Sequence, residues 1–203
     1  MRIAAQRGAL IVFEGCDRSG KTTAVKRLVD YLNDKHQLTK DDCPSAKMMR
    51  FPDRGTHIGQ VINDYLKGEK ELDDHVIHLL FSTNRWEKRE ELTKALDAGQ
   101  HVLIDRYAYS GVAFSAAKAG MDLDWCRGPD RGLPKPDLVC FLDVSPEEAS
   151  KRGDYGMEKY ENKEFQAKVR DNYKILREEK LENWEVINTD GKTQDQVFAE
   201  IEK

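Results

Sequence analysis

Residues 15–22 read GCDRSGKT and match the pattern GxxxxGK followed by Ser or Thr. The preceding stretch, Gly8–Phe13, is apolar and β-branched like a buried strand, and Lys21–Lys35 has apolar residues at helical spacing. A glycine-rich loop between a strand and a helix points backbone N–H groups at phosphate oxygens, and the helix N-terminus adds positive potential. In such a loop Lys21 contacts the β- and γ-phosphates and the Thr22 hydroxyl binds magnesium. The stretch therefore predicts a nucleoside triphosphate site.

The loop alone does not identify the class of protein, because kinases, GTPases and motor ATPases share it. The guanine-binding string NKxD is not present, since residues 162–165 read NKEF. Arg18 places a cation inside the loop. It is either an exposed arginine that flanks a helix or a built-in cation that neutralises charge on the transferred phosphoryl group.

Strand and helix patterns alternate along the rest of the chain. This alternation indicates a parallel sheet with helices on both faces, an α/β fold in three layers. No linker or repeat divides the chain, so we expect one domain over residues 1–203 and a sheet of about five strands. The other predicted strands are Ala46–Phe51, His101–Asp105, Leu138–Asp143 and Trp184–Asn188. The other predicted helices are Ile58–Leu66, about Asp73–Leu96, about Phe165–Glu179, and segments from Ser110, Pro146 and Thr193.

The composition is that of a globular protein and excludes several other classes. The 203 residues carry 33 Lys and Arg against 37 Asp and Glu, a net charge of −4, and 39% of them are hydrophobic. This mixture is too ordinary for a disordered or collagen-like chain, and an acidic chain is not expected to bind duplex DNA nonspecifically. The longest apolar run, Ala9–Phe13, is far shorter than a membrane span. We expect no nucleic-acid and no membrane partner.

The cysteines and the N-terminus indicate a cytoplasmic protein. Cys16, Cys43, Cys126 and Cys140 form no CxxC pair, so neither a disulfide framework nor a zinc site is expected. Met1–Arg7 has no apolar region of the kind found in signal peptides. We expect a cytoplasmic location, with the nucleus left open.

Charged residues follow two of the predicted strands at the carboxyl edge, where ligands gather in parallel sheets. Asp105 and Arg106 follow one strand, and Arg54 follows Phe51–Pro52 at the end of another. A carboxylate in this place holds magnesium in the manner of a Walker-B acid, and an arginine grips a phosphate with two parallel hydrogen bonds. Each alone is also consistent with a solvated surface group. Their shared edge with the glycine-rich loop favours phosphate binding.

Phe81 and Arg85 lie four residues apart on the long predicted helix and so share a face. An aromatic ring beside a guanidinium suits a nucleobase, through stacking and hydrogen bonding. The alternative is that Phe81 belongs to the core and that the Arg85 side chain reaches past it to water. We expect a separate core stripe on this helix at Val76, Leu79, Leu80 and Thr83.

Two segments break the alternating pattern. Trp125–Pro136 is rich in glycine and proline, and Lys151–Lys159 is polar with two glycines. Such loops are surface connections or mobile lids. A phosphoryl-transferring enzyme needs a cover that excludes water from the γ-phosphate, and we expect Lys151–Lys159 to be that lid.

Several longer strings together resemble the eukaryotic-type thymidylate kinases, a group of P-loop nucleoside monophosphate kinases. The resemblance runs from about Arg7 to Ile187. It implies the P-loop kinase fold, a homodimer, and phosphorylation of dTMP to dTDP with ATP as donor and Mg²⁺ as cofactor. The strings are FEG at 13–15, DRSGKTT at 17–23, FPDR at 51–54, LFSTNRWE at 80–87, DRYAYSGVAF at 105–114, GLPKPDL at 132–138 and YE at 160–161.

Carried over by position, the resemblance implies a role for each site residue. Phe81 would stack on thymine, Arg85 would hydrogen-bond its carbonyl edge, and Asp17 would lie near the deoxyribose. Arg54 and Arg106 would hold the monophosphate. The implied acceptor-binding residues are Asp17, Phe51, Arg54, Leu66, Phe81, Arg85, Arg106, Gly111, Phe114, Tyr160 and Gln166. The implied ATP-binding residues are Gly15, Asp17, Arg18, Ser19, Gly20, Lys21, Thr22 and Thr23. The catalytic cations would be Arg18, Lys21, Arg106 and Arg152, with Thr22 and Asp105 as magnesium ligands.

Two other activities remain open, and one residue departs from the family pattern. A deoxynucleoside kinase would need a carboxylate base, for which Asp53 is the candidate. Against it, two arginines on the acceptor side indicate an acceptor that already carries a phosphate. A nucleotide-dependent switch would need a partner surface instead of an acceptor cavity. Cys16 stands where the family often has a larger aliphatic side chain.

Overall fold

The computed structural model describes residues 7–35, 45–153 and 158–203. Its strands are β1 Leu10–Glu14, β2 Ala46–Arg50, β3 His101–Asp105, β4 Leu138–Asp143 and β5 Trp184–Asn188. They form one parallel sheet in the order β2-β3-β1-β4-β5. Val12 of β1 lies beside Ile104 of β3 and Val139 of β4, so β1 is the central strand. The predicted α/β fold with a five-stranded parallel sheet is confirmed.

The helices are α1 Lys21–Lys35, α2 His57–Leu66, α3 Asp74–Glu87, α4 Arg89–Asp97, α5 Ala108–Ser115, α6 Leu123–Arg127, α7 Pro146–Ala149, α8 Lys163–Glu178 and α9 Gln194–Ile201, and a 3₁₀ helix spans Gly128–Asp130. Six of the described helices begin at a residue whose side chain caps the first free N–H groups, namely α2, α3, α6, α7, α8 and α9. Thr56 caps α2, Asp73 caps α3 and Asn162 caps α8. The turn-rich segment Trp125–Pro136 therefore contains the end of α6 and the 3₁₀ helix.

The prediction of one long helix over about Asp73–Leu96 is wrong. The chain forms two helices there, α3 and α4, which meet at Lys88. The Lys88 backbone N–H bonds the carbonyl of Arg85, three residues back, and the α-helical ladder starts again from Lys88. The Lys88 Nζ lies 2.9 Å from Asp53 Oδ2, which ties the joint to the loop after β2. A local apolar period does not reveal this break, because it carries no information on contacts distant in sequence such as the one between Lys88 and Asp53.

Side chains of the central strands alternate between two helical layers. Leu103 and Phe13 pack with Val25 of α1 and with α9 on one face of the sheet. Val102, Ile104 and Val12 pack against Leu92 and Leu96 of α4 on the other. Both faces are thus covered, as the apolar character of these strands requires. Among the described residues, no helix combines the length and the apolarity that crossing a membrane requires.

The prediction that Val76, Leu79, Leu80 and Thr83 form a core stripe on α3 is also wrong. Val76 is 45% exposed and Leu79 is 44% exposed, Thr83 is exposed as well, and Leu80 is only partly buried. The opposite face of α3 turns inward and carries polar side chains toward the interior. Its buried residues are Ile77, His78, Ser82, Asn84 and Arg85.

The strand order brings three loops to one edge of the sheet. Gly15 follows β1, Arg106 follows β3, and Phe51–Arg54 follows β2. Because β2, β3 and β1 are neighbours and parallel, these segments leave the sheet side by side at its carboxyl edge. The candidate site lies there.

Candidate active site

The loop after β1 has the backbone shape of a phosphate cradle. Gly15 has φ 144°, Gly20 has φ 95° and Arg18 has φ 62°. A Cβ atom on Gly15 would lie 2.4 Å from the Leu142 carbonyl oxygen, so no larger residue fits there without moving the backbone. The loop therefore turns back tightly on the sheet and leads into the N-terminus of α1, where backbone N–H groups collect anions.

Lys21 is folded inside this loop. Its Nζ donates hydrogen bonds to the Cys16 carbonyl oxygen at 2.5 Å and to Ser19 Oγ at 3.0 Å. The side chain is buried, and burial, followed by the charge of Arg106, lowers the pKa of Lys21 to about 8. A buried ammonium held by neutral oxygens is prepared for phosphate oxygens, which would restore its full charge.

Binding of ATP at pH 8 is expected to draw up to about half a proton onto the protein. Lys21 is partly neutral in the free protein and is charged beside phosphates, so affinity for ATP should fall as the pH rises above 8. Calorimetry in buffers of different ionisation enthalpy measures the uptake. Lys21→Met should abolish it. Equal uptake by the variant would show that another group titrates.

Thr22 and Asp105 meet at the start of α1. The Thr22 hydroxyl donates to Asp105 Oδ2 at 2.5 Å, and Asp105 is 1% exposed. Arg50 Nε lies 3.6 Å from the same carboxylate oxygen. A hydroxyl and a carboxylate are oxygen ligands of the type that Mg²⁺ prefers. Within the described ranges no group of three or more acidic, His or Cys side chains could hold a metal alone, so a cation here would also need nucleotide or water oxygens.

Arg106 stands between the loop and the neighbouring cavity. Its φ is 66°, and its backbone N–H donates to the Phe13 carbonyl oxygen at 3.0 Å. The guanidinium pairs with Asp17, donates to the Gly15 carbonyl oxygen at 3.1 Å and lies 5.0 Å above the Phe114 ring. Burial alone lowers the pKa of Arg106, but nearby negative groups, Asp17 first, raise it above the ordinary arginine value.

A buried carboxylate fixes the turn that presents Arg106. Glu14 is 0% exposed, and its Oε1 accepts from the N–H groups of Tyr107 at 2.9 Å and Ser110 at 3.1 Å. Its Oε2 accepts from the hydroxyl of Tyr173 at 2.8 Å. Burial, with the Glu14 charge, raises the pKa of Tyr173 well above its usual value, which keeps that phenol a donor. The sequence signal for this network was a glutamate at the end of an apolar strand.

Asp17 is held in place from α8. Its backbone N–H donates to Gln166 Oε1 at 2.9 Å, and Gln166 Nε2 donates to Asp17 Oδ2 at 2.7 Å. Gln166 Nε2 also donates to the Tyr160 carbonyl oxygen at 2.9 Å. Asp17 borders the neighbouring cavity, whereas Gln166 lies behind it. Gln166, which was predicted to lie beside the acceptor, therefore contacts Asp17 and is not among the residues that line the cavity.

The cavity beside Arg106, called the acceptor cavity below, brings together most of the predicted acceptor-binding residues. Phe81 is half-buried, and Arg85 is 3% exposed, so the alternative in which Arg85 reaches water is wrong. Predicted residues that line the cavity are Asp17, Phe51, Leu66, Phe81, Arg85, Arg106, Gly111, Phe114 and Tyr160. The lining residues that sequence reasoning missed are Tyr107, Ser110, Ser115 and Glu158.

Ser115 owes its orientation to a buried histidine. His78 Nδ1 lies 2.7 Å from Ser115 Oγ, and His78 Nε2 lies 2.9 Å from the Cys126 carbonyl oxygen. A carbonyl oxygen only accepts, so Nε2 carries the proton and the Ser115 hydroxyl donates to Nδ1. Burial lowers the pKa of His78, which keeps the ring neutral. The lone pairs of Ser115 Oγ remain available as acceptors.

Arg54 lies at the rim of the acceptor cavity and not in its lining. Its Nη1 donates to Asn63 Oδ1 at 2.9 Å, and its Nη2 pairs with Glu158 Oε1 at 2.6 Å. Glu158 does line the cavity, so the two side chains connect the rim to the interior. Asp53, the candidate base, lies outside the acceptor cavity, in a separate surface groove that it shares with Arg54 and Lys88. A hydrogen bond from Lys88 lowers the pKa of Asp53.

A second opening, the donor groove, lies on the other side of the loop. It includes Ser19, Gly20, Thr23, Arg18 and Arg152. Arg18 Nε pairs with Glu161 Oε1 at 2.8 Å, and Arg152 Nη1 donates to the Arg18 carbonyl oxygen at 2.6 Å. Both predicted donor-side cations are therefore beside the cradle. Of the predicted lid, Lys151–Lys159, residues 154–157 lie outside the described residues.

Cys16 fits its place in the cradle without acting as a nucleophile. Its side chain is 3% exposed and packs with Val112 and Phe141 in the core. Burial raises the pKa of the Cys16 thiol to about 12, so it stays protonated at neutral pH. The smaller residue is accommodated by the core beneath the loop.

Comparisons with known proteins agree with this geometry. A family model described as thymidylate kinase matches residues 13–201. A thymidylate kinase of Danio rerio is 46% identical over 199 residues, which cover 98% of this chain and 90% of that protein. One from Schizosaccharomyces pombe is 50% identical over 186 residues, covering 91% of this chain and 85% of that protein.

Solved structures show the same relationship. The thymidylate kinase from Candida albicans superposes with a TM-score of 0.85 at 40% identity, covering 96% of this chain and 89% of that one. The thymidylate kinase from Ehrlichia chaffeensis, with a TM-score of 0.74 and 23% identity, shares the fold. The cradle, the acceptor cavity and the cations between them all lie within the matched residues, and the chain belongs to the thymidylate kinase family.

Proposed function

We propose that this chain transfers the γ-phosphoryl group of ATP to dTMP and releases dTDP and ADP. The observation that carries the proposal is the position of Arg106. Its guanidinium bonds the carbonyl oxygen of Gly15 in the cradle and lines the acceptor cavity at the same time. A cation placed there can hold an acceptor phosphate against the donor phosphates.

The reaction needs no general base. The second pKa of a phosphate monoester is about 6, so the attacking oxygen of dTMP is mostly ionised at neutral pH. Asp53, which a nucleoside kinase would need as a base, lies outside the acceptor cavity and is paired with Lys88 at 2.9 Å. The arrangement therefore favours a phosphorylated acceptor.

Catalysis then rests on bringing two polyanions together and neutralising the charge that develops between them. Lys21 serves the β- and γ-phosphates, and Arg18 serves the transferred group. Arg106 and Arg54 hold the acceptor phosphate. In the structure Asp17, Glu158 and Glu161 pair with three of these arginines, so phosphate binding would replace carboxylates as their partners.

Thr22 and Asp105 are the residues that would hold Mg²⁺. Their hydrogen bond supports this assignment because it puts both oxygens at the start of α1, next to the cradle. Mg²⁺ bound with the nucleotide supplies positive charge to the phosphate oxygens. Arg152 approaches the donor phosphates from the donor groove.

The base and sugar of dTMP occupy the interior of the acceptor cavity. Phe81 offers a face for stacking and Arg85 offers N–H donors to a carbonyl oxygen. Phe114 and Leu66 line the cavity, and Tyr160 packs near the sugar. Asp17, fixed by Gln166, lies near the deoxyribose. These roles follow the positions that the family resemblance assigns.

A panel of acceptors tests the proposal. dTMP, dUMP, AMP, CMP, UMP and thymidine are each incubated with ATP and magnesium, and kcat/KM is measured for each. We expect dTMP to give the highest value. A preference for thymidine over dTMP would support a nucleoside kinase instead, and slow ATP hydrolysis that does not depend on dTMP would support a switch.

We also propose that the chain forms a homodimer through α3. Val76, Leu79 and Trp86 lie on one face of α3 and are 45%, 44% and 37% exposed, and Trp125 beside them is 39% exposed. An apolar helix face left open on a folded chain supports burial against a second copy.

We also propose a cytoplasmic location. The three cysteines among the described residues are free and buried, which supports a reducing compartment.

Leu79→Glu is expected to convert the dimer to a monomer, because it puts a charge in the middle of the apolar face of α3. Sedimentation velocity measures the change. Lys94→Glu on the exposed face of α4 is the control and should leave the dimer intact. A wild-type protein that sediments as a monomer at micromolar concentration would contradict the proposal.

A further inference from the structure

Arg85 is held by a buried ion pair that sequence reasoning did not find. Arg85 Nε donates to Asp130 Oδ1 at 3.0 Å and Arg85 Nη2 donates to Asp130 Oδ2 at 2.6 Å. The two side chains are only 3% and 4% exposed. Ser82 Oγ donates to Asp130 Oδ1 at 2.8 Å. The carboxylate is therefore bound by three donors, and a parallel pair of hydrogen bonds fixes the plane of the guanidinium.

The pair decides which atoms of Arg85 can meet a ligand. Asp130 occupies Nε and Nη2, and Nη1 has no hydrogen-bond partner among the residues that the structure describes. Arg85 lines the acceptor cavity. The donors that remain for a ligand are thus the two N–H groups of Nη1 and the second N–H group of Nη2. A guanidinium only donates hydrogen bonds, so this edge matches an acceptor and nothing else.

Gly111 keeps the space for this arrangement. A Cβ atom at position 111 would lie 2.6 Å from Arg85 Nη2 and 3.2 Å from its Cζ. The guanidinium therefore rests directly on the backbone of α5. With Asp130 on one side and α5 on the other, Arg85 has one orientation.

The segment that carries Asp130 is itself anchored. Asp130 ends the 3₁₀ helix Gly128–Asp130, and its carbonyl oxygen accepts from the Leu133 N–H at 3.2 Å. The Pro129 carbonyl oxygen accepts from Trp86 Nε1 at 2.8 Å, next to Arg85 on α3. The carboxylate thus comes from a short, tied turn and not from a free loop.

We propose that Asp130 is the positioning residue that makes Arg85 select a base with a carbonyl oxygen at position 4 of the pyrimidine. The inference rests on the proposed function, because it assumes that the base of the acceptor nucleotide enters this cavity. A carbonyl oxygen accepts from the free edge that Nη1 and Nη2 share. A 4-amino group would place its own N–H donors against the N–H donors of Arg85. Neither group would then have a hydrogen-bond acceptor, which is costly in a buried place.

The physical reason lies in the freedom of an arginine side chain. Without a fixed partner, a long side chain loses rotamer freedom when it binds a ligand, and that loss reduces affinity. Asp130 orders the guanidinium before the ligand arrives. It also compensates a positive charge that would otherwise be buried alone.

A thermodynamic cycle tests this role, in which a substitution in the protein is combined with the removal of one atom from the ligand. Equilibrium dissociation constants are measured for dTMP and for the analogue with hydrogen in place of the 4-oxygen, on the wild-type chain and on Asp130→Asn. We expect the variant to bind dTMP about 10- to 100-fold more weakly, the range for hydrogen bonds to charged groups. The analogue should bind both proteins nearly equally, and the preference for dTMP over dCMP should shrink in the variant.

Asp124→Asn is the matched control. Asp124 lies on the neighbouring helix α6, pairs with Arg127 and is 84% exposed, so its loss should leave both dissociation constants unchanged. The dissociation constant for ATP and the midpoint of thermal unfolding report on the fold of each variant. If Asp130→Asn does not fold, Ser82→Ala removes one hydrogen bond to the same carboxylate and should give a smaller shift with the same dependence on the 4-oxygen.

Equal losses for dTMP and the analogue would overturn the proposal, because Asp130 would then support the cavity as a whole. No loss for either ligand would overturn it as well. Failure of the proposed function gives a different result, since a wild-type chain that transfers no phosphoryl group to dTMP would fail before any variant is compared.

Discussion

Replacing Arg18 with glycine is expected to lower the single-turnover rate of phosphoryl transfer by about 100-fold or more. Arg18 belongs to the glycine-rich loop, and its guanidinium is the cation that we place beside the transferred γ-phosphoryl group. Its backbone has φ 62°, a conformation that glycine adopts without strain, so the substitution removes the guanidinium and leaves the loop in place. Rapid-quench measurement with saturating ATP and dTMP isolates the chemical step.

The control for this experiment is Lys94→Ala, which removes an equal charge from the exposed face of α4. It should leave the rate unchanged. The dissociation constant for ATP should change far less than the rate in Arg18→Gly, because the charge on the transferred group develops in the transition state. An unchanged single-turnover rate would contradict the role assigned to Arg18.

The second large effect is expected at Arg106. Arg106→Ala should lower kcat/KM for dTMP by about 100-fold or more, since it removes a charged hydrogen-bonding group from the acceptor phosphate and from Asp17. Arg106→Lys keeps the charge but not the planar fork, so it should recover part of the loss.

Thymidine supplies the control for Arg106. It has the base and sugar of dTMP without the phosphate, so its affinity as a competitive ligand should be similar in the wild type and in both variants. The midpoint of thermal unfolding checks that the buried Glu14 network remains intact. A parallel loss of thymidine affinity would show that Arg106 holds the cavity and not the phosphate.

The features that the sequence predicted are local ones. The cradle is recognisable because its glycines, Lys21 and Thr22 stand at fixed spacing between a strand and a helix. Asp105 and Arg106 were found because they follow a strand directly, and parallel strands end at one edge. Phe81 and Arg85 were paired through helical spacing, although spacing alone left their role open.

What the sequence did not reveal depends on distant partners. Gln166 meets Asp17 across the loop, and Asp130 meets Arg85 from a turn-rich segment where a charged residue looks solvated. The predicted core stripe of α3 is wrong because the buried side of this helix carries Arg85 and other polar groups, whereas Val76 and Leu79 are exposed. Period and propensity describe a helix on its own and not the partners of its buried polar groups.

The most direct test of the central claim is the stoichiometry of the products. The wild-type chain is incubated with ATP, magnesium and dTMP, and ADP and dTDP are quantified together over time. We predict that the two products form in equal amounts and that ADP formation nearly stops when dTMP is omitted or replaced by thymidine. ADP formed without dTDP, or thymidine converted to dTMP, would contradict the account.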